Sequence, residues 1–252
     1  MSPSKNAQIE RNKTTGKPVL SRRQQERKRR HQIKTRNNIL TYGGIFLFAL
    51  IMVLVLYLAL PNSSASLNVQ AVEVSDIEPP FMADKNSAGD PAAPIRIEAF
   101  SDFNCSHCKE FNDDLEKQIF DDYVSTGKVY FTYISFPILA ASSSTSAQAA
   151  YCAADQGKFW EYKDTLYMNV GKTPNPFSTA NLQNYATKLG LNVADWRECF
   201  DNNKYTQQLQ SDLEYGKSIG VEGTPSFNVN GTIVYRTTLL TTIEQLLASL
   251  EQ

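Results

Sequence analysis

Apolar positions along this chain fall into three registers. From Ile39 to Leu60 the run contains no charged residue and is twenty-two residues long. At ~1.5 Å per residue a helix of that length spans about 33 Å, enough for the hydrocarbon core of a bilayer. Ile95–Phe100 and Val129–Ser135 are short, dense apolar and β-branched runs, and they predict buried strands. Helical spacing predicts helices over Lys109–Phe120, Ser142–Gln156, Lys158–Met168, Thr179–Leu189, Ala194–Phe200, Tyr205–Ile219 and Leu239–Leu250. Pro225–Val229 and Thr232–Tyr235 flank Asn230-Gly231, a favoured two-residue hairpin turn.

Residues 61–92 carry Ser, Pro, Ala, Asn and Asp without a sustained period, apart from a short extended piece at Val69–Val74, and read as a linker. Beyond it the order is strand–helix–strand, a block of helices, then hairpin–helix. A βαβ unit and a ββα unit can share one sheet flanked by helices. The expected architecture is therefore α/β over 93–252, with a helical insertion at about 140–219. The aromatic residues Phe159, Trp160, Tyr162 and Tyr167 lie at helical spacing and read as core.

Charge sharpens the organisation. The net charge of −1 over 252 residues hides a strong asymmetry. Residues 1–38 hold twelve Lys/Arg against two Asp/Glu, and the remainder thirteen against twenty-four. The basic cluster Arg22, Arg23, Arg27, Lys28, Arg29, Arg30 lies on the N-terminal side of the apolar run, with no counterpart after it. The positive-inside rule then gives a basic cytoplasmic tail (1–38), a single transmembrane helix (39–60) in contact with membrane lipid, and an extracytoplasmic remainder. A cleaved signal peptide is the competing reading: Ser63-Ser64-Ala65 offers small residues, but the apolar run and its basic lead are both long for one. Topology and attraction to anionic lipid account for the tail without nucleic acid.

All four cysteines, 105, 108, 152 and 199, follow the apolar run, which in an oxidising compartment favours disulfide chemistry. Cys105-Ser106-His107-Cys108 sits between a predicted strand and a predicted helix. That places Cys105 near a helix N-terminus, where free N–H groups and the helix dipole favour a thiolate. A thiolate is the nucleophile of disulfide exchange, and a thiol one turn on can resolve a mixed disulfide. On its own C-x-x-C is equally half of a zinc site. The second piece is Gly223-Thr224-Pro225-Ser226-Phe227: a proline opening a strand cannot donate to the ladder, and a cis bond there would turn Thr224 outward toward an extended peptide. An ordinary trans proline on an edge strand is the simpler reading of that pentapeptide.

Together these pieces resemble the thioredoxin superfamily, and more closely the DsbA-type thiol:disulfide oxidoreductases. The resemblance runs from about Gly89 to the C-terminus. It includes Gly89-Asp90-Pro91, Phe100-Ser101-Asp102-Phe103-Asn104-Cys105, Phe136-Pro137, Cys152-Ala153, Gln156-Gly157-Lys158-Phe159-Trp160-Glu161, Gly190-Leu191 and Gly220-Val221-Glu222-Gly223-Thr224-Pro225. It implies a thioredoxin fold with a helical insertion, Cys105 as attacking thiol, Cys108 as buried resolving thiol, and Pro225 as a cis proline with Thr224 touching substrate. His107, one of two histidines, would lower the Cys105 pKa and tilt the pair toward oxidation. The implied partners are reduced exported proteins and a quinone-linked membrane protein of the DsbB or VKOR kind that reoxidises the pair.

No cofactor or metal is expected. One departure is Ala99, where such enzymes usually carry a buried acid six residues before the first cysteine. Glu98 faces the other way along the strand, and Asp102 is the remaining candidate. Cys152 and Cys199, in the insertion, are expected to form a structural disulfide worth about 3–4 kcal/mol on the chain-entropy estimate. Two further functions stay open: a reductase or isomerase, and a tethered chaperone or binding module with structural cysteines.

Overall fold

The computed structural model describes residues 43–54 and 72–252. The basic tail 1–38, the rest of the apolar run 39–60, and the linker up to residue 71 lie outside the described residues. The chain divides into two units, Met1–Ala65 and Ser66–Gln252. In the first, residues 43–54 form helix α1, with apolar side chains such as Phe46 and Val53 exposed. Among the described residues no helix is long and apolar enough to cross a membrane.

The second unit is built on five strands: β1 (Ser87–Ala88), β2 (Ile95–Ser101), β3 (Val129–Ser135), β4 (Ser226–Val229) and β5 (Thr232–Val234). Their spatial order is β1-β3-β2-β4-β5. β2 and β3 are parallel, in register from Ile95↔Val129 to Ser101↔Ser135. β4 runs antiparallel to β2 and turns into β5 through Asn230 and Gly231, both at positive φ (48° and 92°). The central position of β2 follows from its composition. Ile95, Ile97 and Ala99 are buried in the main core, while Phe100 opposes them in a smaller cluster with Ile134, Phe136 and Val221. Each isoleucine buried this way contributes about 1.5–3 kcal/mol relative to exposure.

Between β2 and β3 the chain forms α2 (Ser106–Asp113), α3 (Leu115–Ile119) and a π turn at Phe120–Val124. The sequence spacing predicts one helix over Lys109–Phe120. The structure instead starts it three residues earlier and breaks it at Asp114, which takes φ −132° and ψ −78°. A tertiary contact holds the break: Arg236 donates to Asp114 Oδ2 at 2.6 Å.

After β3 come α4 (Ala141–Ala154), α5 (Phe159–Asn169), α6 (Thr179–Lys188), α7 (Val193–Asp201) and α8 (Thr206–Ser218); α9 (Arg236–Leu250) ends the unit. Ala147, Ala149, Ala150 and Ala153 are buried along α4, and their small volume lets the helices of the insertion approach one another. α8 crosses the other face of the sheet at Gly216, where an added Cβ would lie 2.6 Å from the Phe136 ring.

The predicted linker differs most from the structure. From Val72 onward it is docked on the insertion rather than free of it. Lys188 Nζ donates to the Val72 carbonyl at 2.7 Å, Asn169 Nδ2 donates to the Glu73 carbonyl at 2.8 Å, and the Ser75 N–H donates to Thr165 Oγ1 at 2.9 Å. Further on, β1 joins the sheet antiparallel to β3. Gly89, at φ 98°, ends β1 where a Cβ would sit 2.4 Å from the Val129 carbonyl oxygen. Backbone groups make most of these contacts, so the polar composition of the segment does not announce them.

Candidate active site

The last residues of β2 and the first turn of α2 meet at the C-terminal edge of the sheet. Cys105 is the N-cap of α2, with extended backbone (φ −87°, ψ 116°). Its sulfur accepts from the Cys108 N–H at 3.3 Å, which satisfies one of the orphan donors of the helix start. From the opposite side comes the loop before β4. The Thr224–Pro225 bond is cis, and the Cys105 thiol donates to the Thr224 carbonyl at 3.2 Å. Both cysteines are free thiols, and both are buried.

The two thiols are driven apart in acidity. The Cys105 pKa is lowered to about 6, chiefly by the hydrogen bond from the Cys108 thiol. Burial opposes this, and Thr224 and the N–H groups of Cys108 and His107 add to it. Cys108 moves the other way: burial first, then the neighbouring Cys105 sulfur, push its pKa far up. One thiol is thus prepared as a nucleophile at neutral pH, while the other holds the proton that stabilises it.

The remaining residues singled out in the sequence have mixed places. The His107 ring is directed to Glu110, with Nδ1 3.2 Å from Oε2 and the side chain 72% exposed. Its contribution at the sulfur comes from the backbone N–H. Ala99 is fully buried, in the same cluster as both cysteines. Glu98 does not substitute for an acid there: it lies on the α8 side, accepting from Tyr215 Oη at 2.7 Å and Asn228 Nδ2 at 2.8 Å.

Asp102 is buried and committed to the backbone. Its Oδ1 accepts from the Asn104 N–H at 2.8 Å, and Oδ2 from the Ile138 and Leu139 N–H groups at 2.9 and 3.0 Å. It ties the loop before α4 to the active-site turn. Its carbonyl accepts from the Cys105 N–H at 3.0 Å, which sets the entry into α2.

One group was missed in the sequence. Lys163, almost fully buried, forms an ion pair with Glu116 and bonds Asn112. Its ammonium lies 5.5 Å from the Trp160 ring centroid and 6.0 Å from those of Tyr133 and Tyr167. Those tyrosines pair through their hydroxyls at 2.8 Å, and Phe103 packs on both rings. Burial pushes the Glu116 carboxyl up, with Lys163 opposing it. The available signal was Lys163 itself, three residues after Trp160 and four before Tyr167 on a helix face otherwise aromatic.

Cys152 of α4 and Cys199 of α7 are joined in a disulfide, with Cα atoms 5.8 Å apart. The Trp196 indole N–H donates to the Ala149 carbonyl at 3.1 Å between the same two helices. Among the described residues no group of three or more His, Cys, Asp or Glu side chains could hold a metal ion.

A helix-capping thiol of lowered pKa, a buried partner thiol and a cis-proline loop, on a βαβ–ββα sheet with a helical insertion, define a thiol:disulfide oxidoreductase of DsbA-like design. Residues 83–251 match the family described as Thioredoxin, and the chain belongs to it. The chain is 26% identical over 154 residues to the probable disulfide bond formation protein D of Bacillus anthracis, covering 59% of this chain and 71% of that protein. Among solved structures, oxidised BdbD from Bacillus subtilis superposes with a TM-score of 0.58 at 22% identity, covering 67% of this chain and 96% of that one. Chlamydia trachomatis DsbA gives 0.57 at 23% identity, covering 68% and 96%. At these identities the structural likeness establishes the fold.

Proposed function

We propose that this protein is an extracytoplasmic oxidase that donates the Cys105–Cys108 disulfide to reduced exported proteins. The observation that carries this reading is the split between the two thiols: Cys105 at about 6, Cys108 far above its ordinary value. A stabilised Cys105 thiolate favours the reduced form of the pair, which makes the disulfide form a better oxidant. In the first step a substrate thiolate attacks Cys105 Sγ, the S–S bond breaks, and Cys108 leaves as a thiolate that takes up a proton in its buried site. A second substrate thiolate then attacks the substrate sulfur of the mixed disulfide and releases Cys105 as a thiolate. The substrate loses two electrons and the protein gains them.

Pro225 and Thr224 are read as the peptide-docking edge, and the Cys152–Cys199 bond as structural. Reoxidation is assigned to a quinone-linked membrane partner of the DsbB or VKOR kind. Location rests on the uncharged run 39–60 with its basic lead, on the exposed apolar side chains of α1, and on likeness to a relative named for disulfide bond formation. On this reading residues 39–60 anchor the chain in lipid, residues 1–38 stay in the cytoplasm, and the thioredoxin-like unit faces outward.

Redox titration of the protein against glutathione tests the direction. The expected potential lies well above about −270 mV, the region of thioredoxin. A value at or below it rejects the oxidase in favour of the reductase reading. Undiminished cell-surface function in Cys105→Ser would favour a chaperone with structural cysteines.

A further inference from the structure

When the active-site disulfide opens, the electron pair of the broken S–S bond goes to Cys108, which is only 1% exposed. A thiolate formed there is costly unless donors meet it. The Asp102 backbone and Thr224 favour its charged form, but burial and the Cys105 sulfur outweigh them. Side-chain acids do not serve as donors. Glu98 lies on the α8 side, and the Asp102 carboxylate accepts from three N–H groups.

Tyr133 of β3 and Tyr167 of α5 share the buried cluster of Cys108, with their hydroxyls 2.8 Å apart. The pair carries two O–H protons, and only one is used between the two oxygens. For the other, the Asp102 carbonyl lies 3.5 Å from Tyr167 Oη, beyond the ~2.7–2.8 Å usual for O–H···O bonds. That carbonyl already accepts from the Cys105 N–H at 3.0 Å. A buried O–H so poorly matched favours a better acceptor. Burial holds both phenols well above their ordinary pKa, so they stay protonated at neutral pH. The charge of Cys108 is a further cause for each, which puts its sulfur near both oxygens.

The pair is fixed relative to the active-site helix. Phe103 packs on the two rings at centroid distances of 5.6 and 5.1 Å. The Lys163 ammonium, 6.0 Å from each ring centroid, is bound by Glu116 and by Asn112 of α2. Asn112 Nδ2 in turn donates to Asp164 at 2.8 Å, so α5 holds both the tyrosine side and the helix that carries Cys108.

We propose that the Tyr133–Tyr167 hydroxyl pair donates a hydrogen bond to the Cys108 thiolate as it leaves, and so speeds opening of the disulfide. A substrate thiolate bonds to Cys105 Sγ, the Cys105–Cys108 bond breaks, and the spare O–H turns from the Asp102 carbonyl to Cys108 Sγ. A proton from water then neutralises that sulfur, and the hydroxyl turns back. Lys163, Glu116 and Asn112 are positioning residues in this step. The proposal rests on the reading that Cys105 is the sulfur attacked.

The test measures single-turnover reaction of the oxidised protein with a dithiol peptide, beside its equilibrium with glutathione. Replacing both hydroxyls, Tyr133→Phe with Tyr167→Phe, keeps the ring shapes and should slow the reaction by about ten- to hundredfold, the worth of a hydrogen bond to a charged group. Neither end state holds the Cys108 thiolate, so the equilibrium constant should stay unchanged. A slowing of less than about threefold in the folded variant overturns the proposal. So does a slowing matched by an equal change in the equilibrium constant, which would place the effect in a ground state. Where the double variant does not fold, the two single variants carry the test, and unchanged rates in both overturn it. No reaction of the unsubstituted protein overturns the exchange reading and this proposal with it.

Discussion

Two cysteine pairs share this domain, and their surroundings differ in kind. Cys105 and Cys108 are three residues apart in one helical turn, with N–H donors and a loop carbonyl at the outer sulfur. Cys152 and Cys199 are 47 residues apart, on two helices whose packing already holds their Cα atoms at 5.8 Å. In the first pair the N–H donors are ready to stabilise a thiolate whenever the disulfide opens. In the second, Cys152 is fully buried, Cys199 is about as exposed as Cys105, and each sulfur is already bonded to the other across two packed helices. Reactivity is therefore set by what each sulfur meets after the bond breaks. The sequence spacing alone carries only part of that information.

The strongest way to break this contrast is to exchange the roles. Cys105→Ser should reduce peptide oxidation to the uncatalysed background, whereas replacing both Cys152 and Cys199 with Ala should leave turnover in place. That double substitution should instead lower unfolding stability by about 3–4 kcal/mol in denaturant titration. A loss below about 1 kcal/mol would mean that packing of α4 on α7 does the holding. The Cys105 titration should stay at about 6 in the same variant, since its causes lie at the active-site turn and the Thr224 loop, away from both substituted residues.

A second test uses pH. Followed by thiolate absorbance, the reduced protein should show one midpoint at about 6. A folded pKa of about 6, below the unfolded thiol's ~8.5, adds stability that is complete above the unfolded value. It is lost as pH falls through the folded one. Denaturation midpoints of the reduced protein, referred to Cys105→Ser, should therefore rise between those limits and flatten beyond them. A flat difference across the range would remove the thiolate from the account.

The smallest effect sharpens the picture of His107. Its ring pairs with Glu110 on an exposed helix face, an interaction worth about 0.2–0.5 kcal/mol. His107→Ala should consequently move the Cys105 midpoint by only about 0.3 unit. A shift of a full unit or more would put the imidazole at the sulfur in solution and restore the role its sequence position suggested.

The strands, the hairpin and the helices of the insertion were legible because their burial follows simple periods, as in Ile95, Ile97 and Ala99 on one face of β2. The break at Asp114 was not, since it depends on Arg236, over a hundred residues away. β1 escaped notice because two residues carry no period, and their place is decided by the edge of β3. At the site, position next to a strand end was enough to put Cys105 at a helix start. The orientation of His107 and the commitment of Asp102 to three N–H groups depend on side-chain rotamers and on a loop remote in sequence, neither of which residue spacing encodes. Lys163 was hidden by its aromatic neighbours, which read as core and are core.

On the anchored reading, the docking of the chain at Val72 would also limit where this catalyst works. Eleven residues (61–71) separate the end of the apolar run from Val72, the first held position among the described residues of this unit. At ~3.3–3.6 Å per residue they span at most about 40 Å. If residues 39–60 are anchored in lipid, a tether of that length would keep the thiol within a thin shell of the bilayer surface and make encounters with exported chains a matter of local concentration. Freeing residues 72–77 from α5 and α6 would lengthen the leash and dilute the enzyme into a larger volume without touching a sulfur atom.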